Sequence, residues 1–142
     1  KPGRKLKKGE VPSEYDIEID GVRLRWNCTN ENWVGLGVED PRVAREVGCI
    51  RSIQGYDLGY AYVIIGRDLL FNGGEGKPES NKEGYFDSNG KVKASKEELD
   101  RYIKNIYYVL LTRGILGTHV YVEDPTLRRY FAQFFQQKKK QG

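Results

Sequence analysis

Polar and apolar side chains alternate through "YDIEIDGVRLRWN", residues 15–27, on both sides of Asp20-Gly21. An Asp-Gly pair between alternating stretches predicts a two-residue hairpin with strands near 15–19 and 22–26. "EDPRVAREVG" offers Asp40 as N-cap and Pro41 at the first helical position, which predicts a short helix. "EVGCI" and "AYVIIG" are short, β-branched runs without evident alternation, the pattern of strands covered on both faces. "SKEELDRYIKNIYYVLLTRG", residues 95–114, carries the strongest helical signal. Ser95 and Glu98 form a capping box, and Leu99, Tyr102, Ile103, Ile106, Tyr107 and Leu110 keep one apolar face. Gly114 is expected to supply a left-handed stop. "THVYV" predicts a further strand, after which Asp124 caps and Pro125 opens a last helix whose Leu127, Tyr130, Phe131 and Phe134 share a face.

This succession of strands and helices predicts an α/β fold with a mostly parallel sheet flanked by helices and an N-terminal β-hairpin. At 142 residues the chain is long enough to bury a core without disulfides or metal. The expected organisation is a basic N-terminal tail (1–13), a lobe over 14–137 and a basic C-terminal tail (138–142). Within the lobe, residues 66–94, rich in Gly, Asn, Ser and Lys, are expected to be a mobile insertion.

Charge adds less than its total implies. Residues 1–10 hold five Lys/Arg against Glu10, and Lys138, Lys139 and Lys140 add three more, so the ends exceed the whole formal charge of +4 and the remainder is net acidic. Basic ends can contact phosphate, but they give no nucleic-acid-binding face by themselves. Cys28 and Cys49 are too few for a disulfide framework or a zinc knuckle. No run approaches the length of a membrane span and no signal-peptide pattern opens the chain, so a cytoplasmic location is expected. No metal site is expected: His119, the single histidine, lies inside a strand pattern. "GGEGK" at 73–77 lacks the spacing and following Ser/Thr of a phosphate loop, so tight ATP binding by this chain alone is not expected.

Two places have both a structural and a chemical explanation. In "SIQGYDLGYAYVIIG", Ser52, Gln54 and Asp57 lie between apolar runs beside Gly55; a one-turn helix capped by Ser52 accounts for them, as does a turn that approaches a ligand. Arg113, flanked by Thr112 and Gly114, is favoured by the dipole of the preceding helix, and a guanidinium at a rigid helix end is also suited to donate bidentately to a phosphate.

"VGCIRSIQGYDLGYAYVIIGRDL" and "IKNIYYVLLTRGILGTHVYVEDPTLRRYF" resemble, in order and spacing, motifs V and VI of the Schlafen-related, helicase-like P-loop family of uncharacterised bacterial proteins, allied to superfamily-one helicases. The likeness covers most of residues 14–131. It implies a RecA-like P-loop NTPase second lobe, the C-terminal half of a nucleic-acid-dependent ATPase. It also implies ATP and Mg²⁺ in the full-length parent, with an N-terminal P-loop lobe as partner and DNA or RNA as the strand. Carried over motif by motif, Arg113 matches the arginine finger. Gln54, Gly55 and Asp57 match the turn that approaches nucleotide and couples it to the strand, with Thr112 and Gly114 beside the finger. Where relatives read Gly-Leu-Glu-Phe after the glutamine, this chain reads Gly55, Tyr56, Asp57, Leu58, an acid one methylene shorter. The alternative is a non-catalytic module that binds nucleic acid or protein, and the same machinery can serve a regulatory or defence switch. The sequence leaves open DNA or RNA, polarity and oligomeric state.

Overall fold

The computed structural model describes residues 15–27, 33–36, 39–41, 43–85 and 94–139. Cys28, most of both basic ends and residues 86–93 of the expected insertion lie outside the described residues. The chain divides into two compact units, Lys1–Tyr56 and Asp57–Gly142.

In the first unit, β1 (Ile17–Ile19) and β2 (Val22–Trp26) form the antiparallel hairpin expected from Asp20-Gly21. Both turn residues have positive φ, 48° and 80°, as a hairpin turn matched to strand twist requires. β3 (Glu46–Val47) pairs parallel to the other edge of β2. The helix expected after Asp40 is reduced to a turn: Asp40 O accepts from Val43 N and Ala44 N, and Arg45 at φ 64° breaks any continuation. Arg25 is buried, its guanidinium donating to the Ala44 carbonyl and so tying β2 to that turn. "EVGCI" extends as a strand only to Val47; Ile50 already belongs to α1 (Ile50–Ile53).

The second unit is built on β4 (Leu58–Ile65) and β7 (Gly114–Val122), a parallel pair, with α2 (Lys96–Leu111) as the crossover helix packed on it. β5 (Leu69–Asn72) and β6 (Lys77–Ser80) form a separate antiparallel hairpin, and α3 (Pro125–Lys139) follows β7. The architecture is mixed α/β, with parallel and antiparallel pairings in equal number among the described strands rather than the mostly parallel sheet expected. Residues 66–94 contain the β5–β6 hairpin and contribute Leu69 and Tyr85 to the core. The "GGEGK" segment makes its turn: Asn72 Oδ1 accepts from Gly74 N and Glu75 N, and Gly76 takes φ 65°.

α2 begins where the sequence places it. Ser95 Oγ accepts from Glu98 N at 3.2 Å and Glu98 Oε2 accepts from Ser95 N at 2.9 Å, a reciprocal capping box. Its buried stripe is Leu99, Ile103 and Tyr107, with Ile106 and Leu110 packed at the margin; Tyr102 is largely exposed and meets Tyr85 edge-on. Leu99 and Ile103 join Ile65 of β4 and Leu127 of α3 as the most completely buried side chains, each worth about 1.5–3 kcal/mol of transfer free energy. On α3, Leu127 is buried and Tyr130 and Phe131 pack against the core, while Phe134, expected on the same face, is exposed.

One polar pair is held inside this core. Tyr107 Oη donates to Asp68 Oδ1 at 2.6 Å and accepts from Gly66 N at 3.2 Å, joining α2 to the turn after β4. Burial pushes the Asp68 carboxyl above its ordinary range, partly offset by the hydrogen bond from Tyr107. Burial, and then the charge of Asp68, push the Tyr107 phenol well above its ordinary value of 10.0. The unfolded phenol therefore loses its proton first, and the stability linked to the Tyr107 proton is fully present below pH 10 and lost as pH rises beyond it. Urea titrations from pH 9 to pH 11 should show stability falling by up to about 1.4 kcal/mol per pH unit from this one proton. Tyr107→Phe should flatten that slope, and an identical slope in the variant would refute the assignment.

Candidate functional site

The residues singled out from sequence fall at two places, one in each unit. In the first, Cys49 occupies the N-cap position of α1, with no cap bond from its side chain, so Ser52 is not the cap. Ser52 instead donates from Oγ to Asn27 Oδ1 at 3.0 Å, and Asn27 Nδ2 lies 3.4 Å from Cys49 Sγ, so a polar knot joins α1 to the end of β2. α1 then ends in a type II turn. Gln54 has φ −63° and ψ 128°, Gly55 has φ 86°, and Tyr56 N closes on Ile53 O at 3.2 Å. The third turn position needs positive φ, which explains Gly55, and the second projects its side chain away from the turn, which leaves Gln54 exposed. Asp57, also exposed, opens the second unit.

In the second unit the junction between α2 and β7 is a closed set of hydrogen bonds. Thr112 is the C-cap of α2, and its Oγ1 donates to Tyr108 O at 3.0 Å and to Val109 O at 3.1 Å. Arg113 Nε donates to Val109 O at 3.2 Å, and Thr118 Oγ1 reaches back to Leu111 O at 3.1 Å. Of the last carbonyls of the helix, Tyr108 O, Val109 O and Leu111 O thereby accept from three side chains, and Leu110 O accepts from Arg113 N. Arg113 is half-buried, and among the described residues its guanidinium forms no ion pair. Its carbonyl accepts from Leu58 N at 3.1 Å, the bond that opens the β4–β7 ladder, and Leu58 stands opposite Gly114. Asp57, Thr112, Arg113 and Gly114 are thus brought to one end of that pair; Gln54 and Gly55 belong to the other unit.

Gly114 does not supply the left-handed stop expected of it. Its φ is not positive, and the helix is closed by Thr112 and Arg113. Glycine is required for a different reason: a Cβ there would collide with the Gly117 carbonyl and with Thr118 Oγ1. The backbone folds back on itself within three residues, at the register shift that precedes Tyr60 and Gly117.

Among the described residues no group of three or more His, Cys, Asp or Glu is placed to hold a metal ion. A cavity of about 450 Å³ beside the β5–β6 hairpin, bordered by Phe71, Asn72, Lys96 and Leu99, contains none of the residues singled out above. Lys96 and Glu79 pair at 2.6 Å on its margin. No described helix is long and apolar enough to cross a membrane.

The model of the Schlafen group 3, DNA/RNA helicase domain matches residues 2–124. The chain belongs to this family. Residues 47–69 and 103–124 of the two motifs, and the hairpin before them, all lie within the match. Among curated proteins, the "Uncharacterized protein YPL245W" of Saccharomyces cerevisiae is 34% identical over 121 residues, a stretch covering 81% of this chain. The chain spans about a quarter (27%) of the length of that relative. No solved structure matches.

The outer face of β4 and β7 was missed from sequence. Tyr62 and His119 stack there with ring centroids 4.8 Å apart and an interplanar angle of 11°. The signal that could have found it is the alternation in "YAYVI", where Tyr60 and Tyr62 interleave with the buried Ala61 and Val63.

Gly114→Ala should destabilise this Schlafen group 3 domain by about 1–3 kcal/mol, because the added methyl displaces the backbone that holds Arg113. Gly73→Ala, where an added Cβ meets nothing within 4 Å, should stay within about 0.5 kcal/mol. Urea denaturation of the two variants checks the contrast; equal stabilities would remove the close-approach explanation.

Proposed function

We propose that this domain is the C-terminal, RecA-like lobe of a nucleic-acid-dependent ATPase, and that Arg113 is its arginine finger. The ATP site is completed by a P-loop lobe elsewhere in the parent. The observation that carries this reading is the state of Arg113: one nitrogen is committed to the end of its own helix, while no carboxylate among the described residues pairs with its charge. Membership of a DNA/RNA helicase domain family supports it, as does the resemblance of the two segments to motifs V and VI, which implies the finger role for Arg113.

The chemistry follows from charge. As the terminal phosphoryl group of ATP transfers to water, negative charge spreads over its oxygens, and a guanidinium already oriented at that position stabilises the transition state more than the ground state. The bond from Nε to Val109 O fixes the plane of the group, and the cap formed by Thr112 and Thr118 fixes the backbone beneath it. Gln54 and Gly55, on a type II turn, and Asp57 after it are assigned to nucleotide contact and to coupling with the strand. Mg²⁺ would neutralise the phosphates in the parent, held by residues of the P-loop lobe. An arginine that completes the site only when two lobes close ties hydrolysis to their relative motion.

In the full-length parent, with saturating DNA or RNA, Arg113→Ala should lower kcat for ATP hydrolysis by about 10³-fold or more with little change in KM. Arg113→Lys should not restore it, because an ammonium cannot reproduce the planar fork. The lost cap costs only about 1 kcal/mol, so the variants should remain folded. Turnover unchanged by Arg113→Ala would eliminate the finger.

A further inference from the structure

The two faces of the β4–β7 pair carry opposite chemistry. Residues opposed in a parallel ladder share a face, so Ala61, Val63 and Ile65 go with Thr118, Val120 and Val122 toward the core, an aliphatic layer covered by α2. The other face holds Tyr60 opposite Gly117, Tyr62 opposite His119, and Ile64 opposite Tyr121. Tyr60 and Tyr62 are 60% and 80% exposed, although strands of a parallel pair are ordinarily covered on both faces. The Tyr60 ring lies against Gly117, where an added Cβ would come within 3.4 Å of it. Tyr62 and His119 stack nearly flat, and the Arg128 guanidinium stands 5.0 Å from the centre of the Tyr121 ring, held by a 2.8 Å bond from Nε to Val122 O.

We propose that this face is a stacking platform for the unpaired bases of a single-stranded polynucleotide. A packing layer of protein calls for aliphatic volume, which the inner face has along its length and the outer one has only at Ile64. The outer face instead offers flat rings with polar tips, and every base has a π-face to lay on them. Charge fits the same occupant. Neither strand contains an acidic residue, Glu123 just beyond β7 is paired with Arg67 at 2.6 Å, and the row of rings ends at Arg128, placed where a phosphate can meet it. The inference deepens the nucleic-acid side of the function proposed above and shares no residue with the Arg113 site.

The test uses the 142-residue chain without nucleotide, so its result is independent of the arginine finger. Fluorescence anisotropy would follow labelled oligothymidylate and oligouridylate of about 20 nucleotides, and a duplex of equal length. Both single strands should bind more tightly than the duplex, and the two arms rank deoxyribose against ribose. Tyr62→Ala combined with His119→Ala should weaken single-strand binding about tenfold or more, Tyr62→Phe should stay within about threefold of wild type, and Tyr108→Ala, an exposed tyrosine on α2, should have no effect. Circular dichroism of each variant confirms folding. Binding that survives the double substitution belongs to the basic ends and overturns the proposal, as does failure of the wild type to bind either strand. A dimer seen by sedimentation and abolished by the double substitution would overturn it too, assigning the face to a second copy of the chain.

Discussion

The register of β7 against β4 is the constraint on which the second unit depends. The two strands are not neighbours in sequence, and their parallel pairing requires a crossover, which α2 supplies. Once Leu58 N is bonded to Arg113 O and Val63 stands opposite Val120, every side chain of both strands is committed to a face. A slip by one residue would turn Val63 and Ile65 outward, bury Tyr62 and uncouple the core from Leu99 and Ile103. The same register sets where α2 must stop, and so where its last carbonyls need donors. Thr112, Arg113 and Thr118 meet that need together, and the absence of a side chain at Gly114 lets the backbone turn closely enough for them to do so.

Structure and the proposed function therefore meet at Arg113 without competing. The cap uses Nε and the backbone; phosphate chemistry would use the terminal nitrogens. A residue anchored in this way loses little conformational entropy when it engages a ligand, the general advantage of preorganisation. The polar knot of Asn27, Cys49 and Ser52 and the type II turn after it give Gln54 a similar setting in the first unit, an exposed amide on a backbone with defined angles.

Local signals were legible where local physics decides. The Asp20-Gly21 turn and the Ser95–Glu98 box depend on a few adjacent residues and are found as read; the apolar face of α2 is found at Leu99, Ile103 and Tyr107, with Ile106 and Leu110 at its margin, but not at the exposed Tyr102. What depends on tertiary contacts was not legible. Gly114 has the sequence context of a helix stop, but the demand on it comes from the Gly117 carbonyl folding back, which no periodicity reveals. The run "AYVIIG" lacks evident alternation because tyrosine counts as apolar, and only the register separates its aliphatic face from its aromatic one. Residues 66–94 have a loop-like composition, yet Leu69 and Tyr85 are drawn into the core from within them. Gln54 and Arg113 were singled out through family motifs; their spacing alone has a structural explanation in each case, and the cap on α2 is that explanation for Arg113 in part.

A structure of the full-length parent, bound to a mimic of the phosphoryl-transfer transition state, measures the proposed role of Arg113 directly. With Nε still on Val109 O, its terminal nitrogens should lie about 2.7–2.9 Å from oxygens of the transferring group. A different cation at that position, with Arg113 turned away from the nucleotide, would reduce it to a helix cap and leave the finger to another part of the chain.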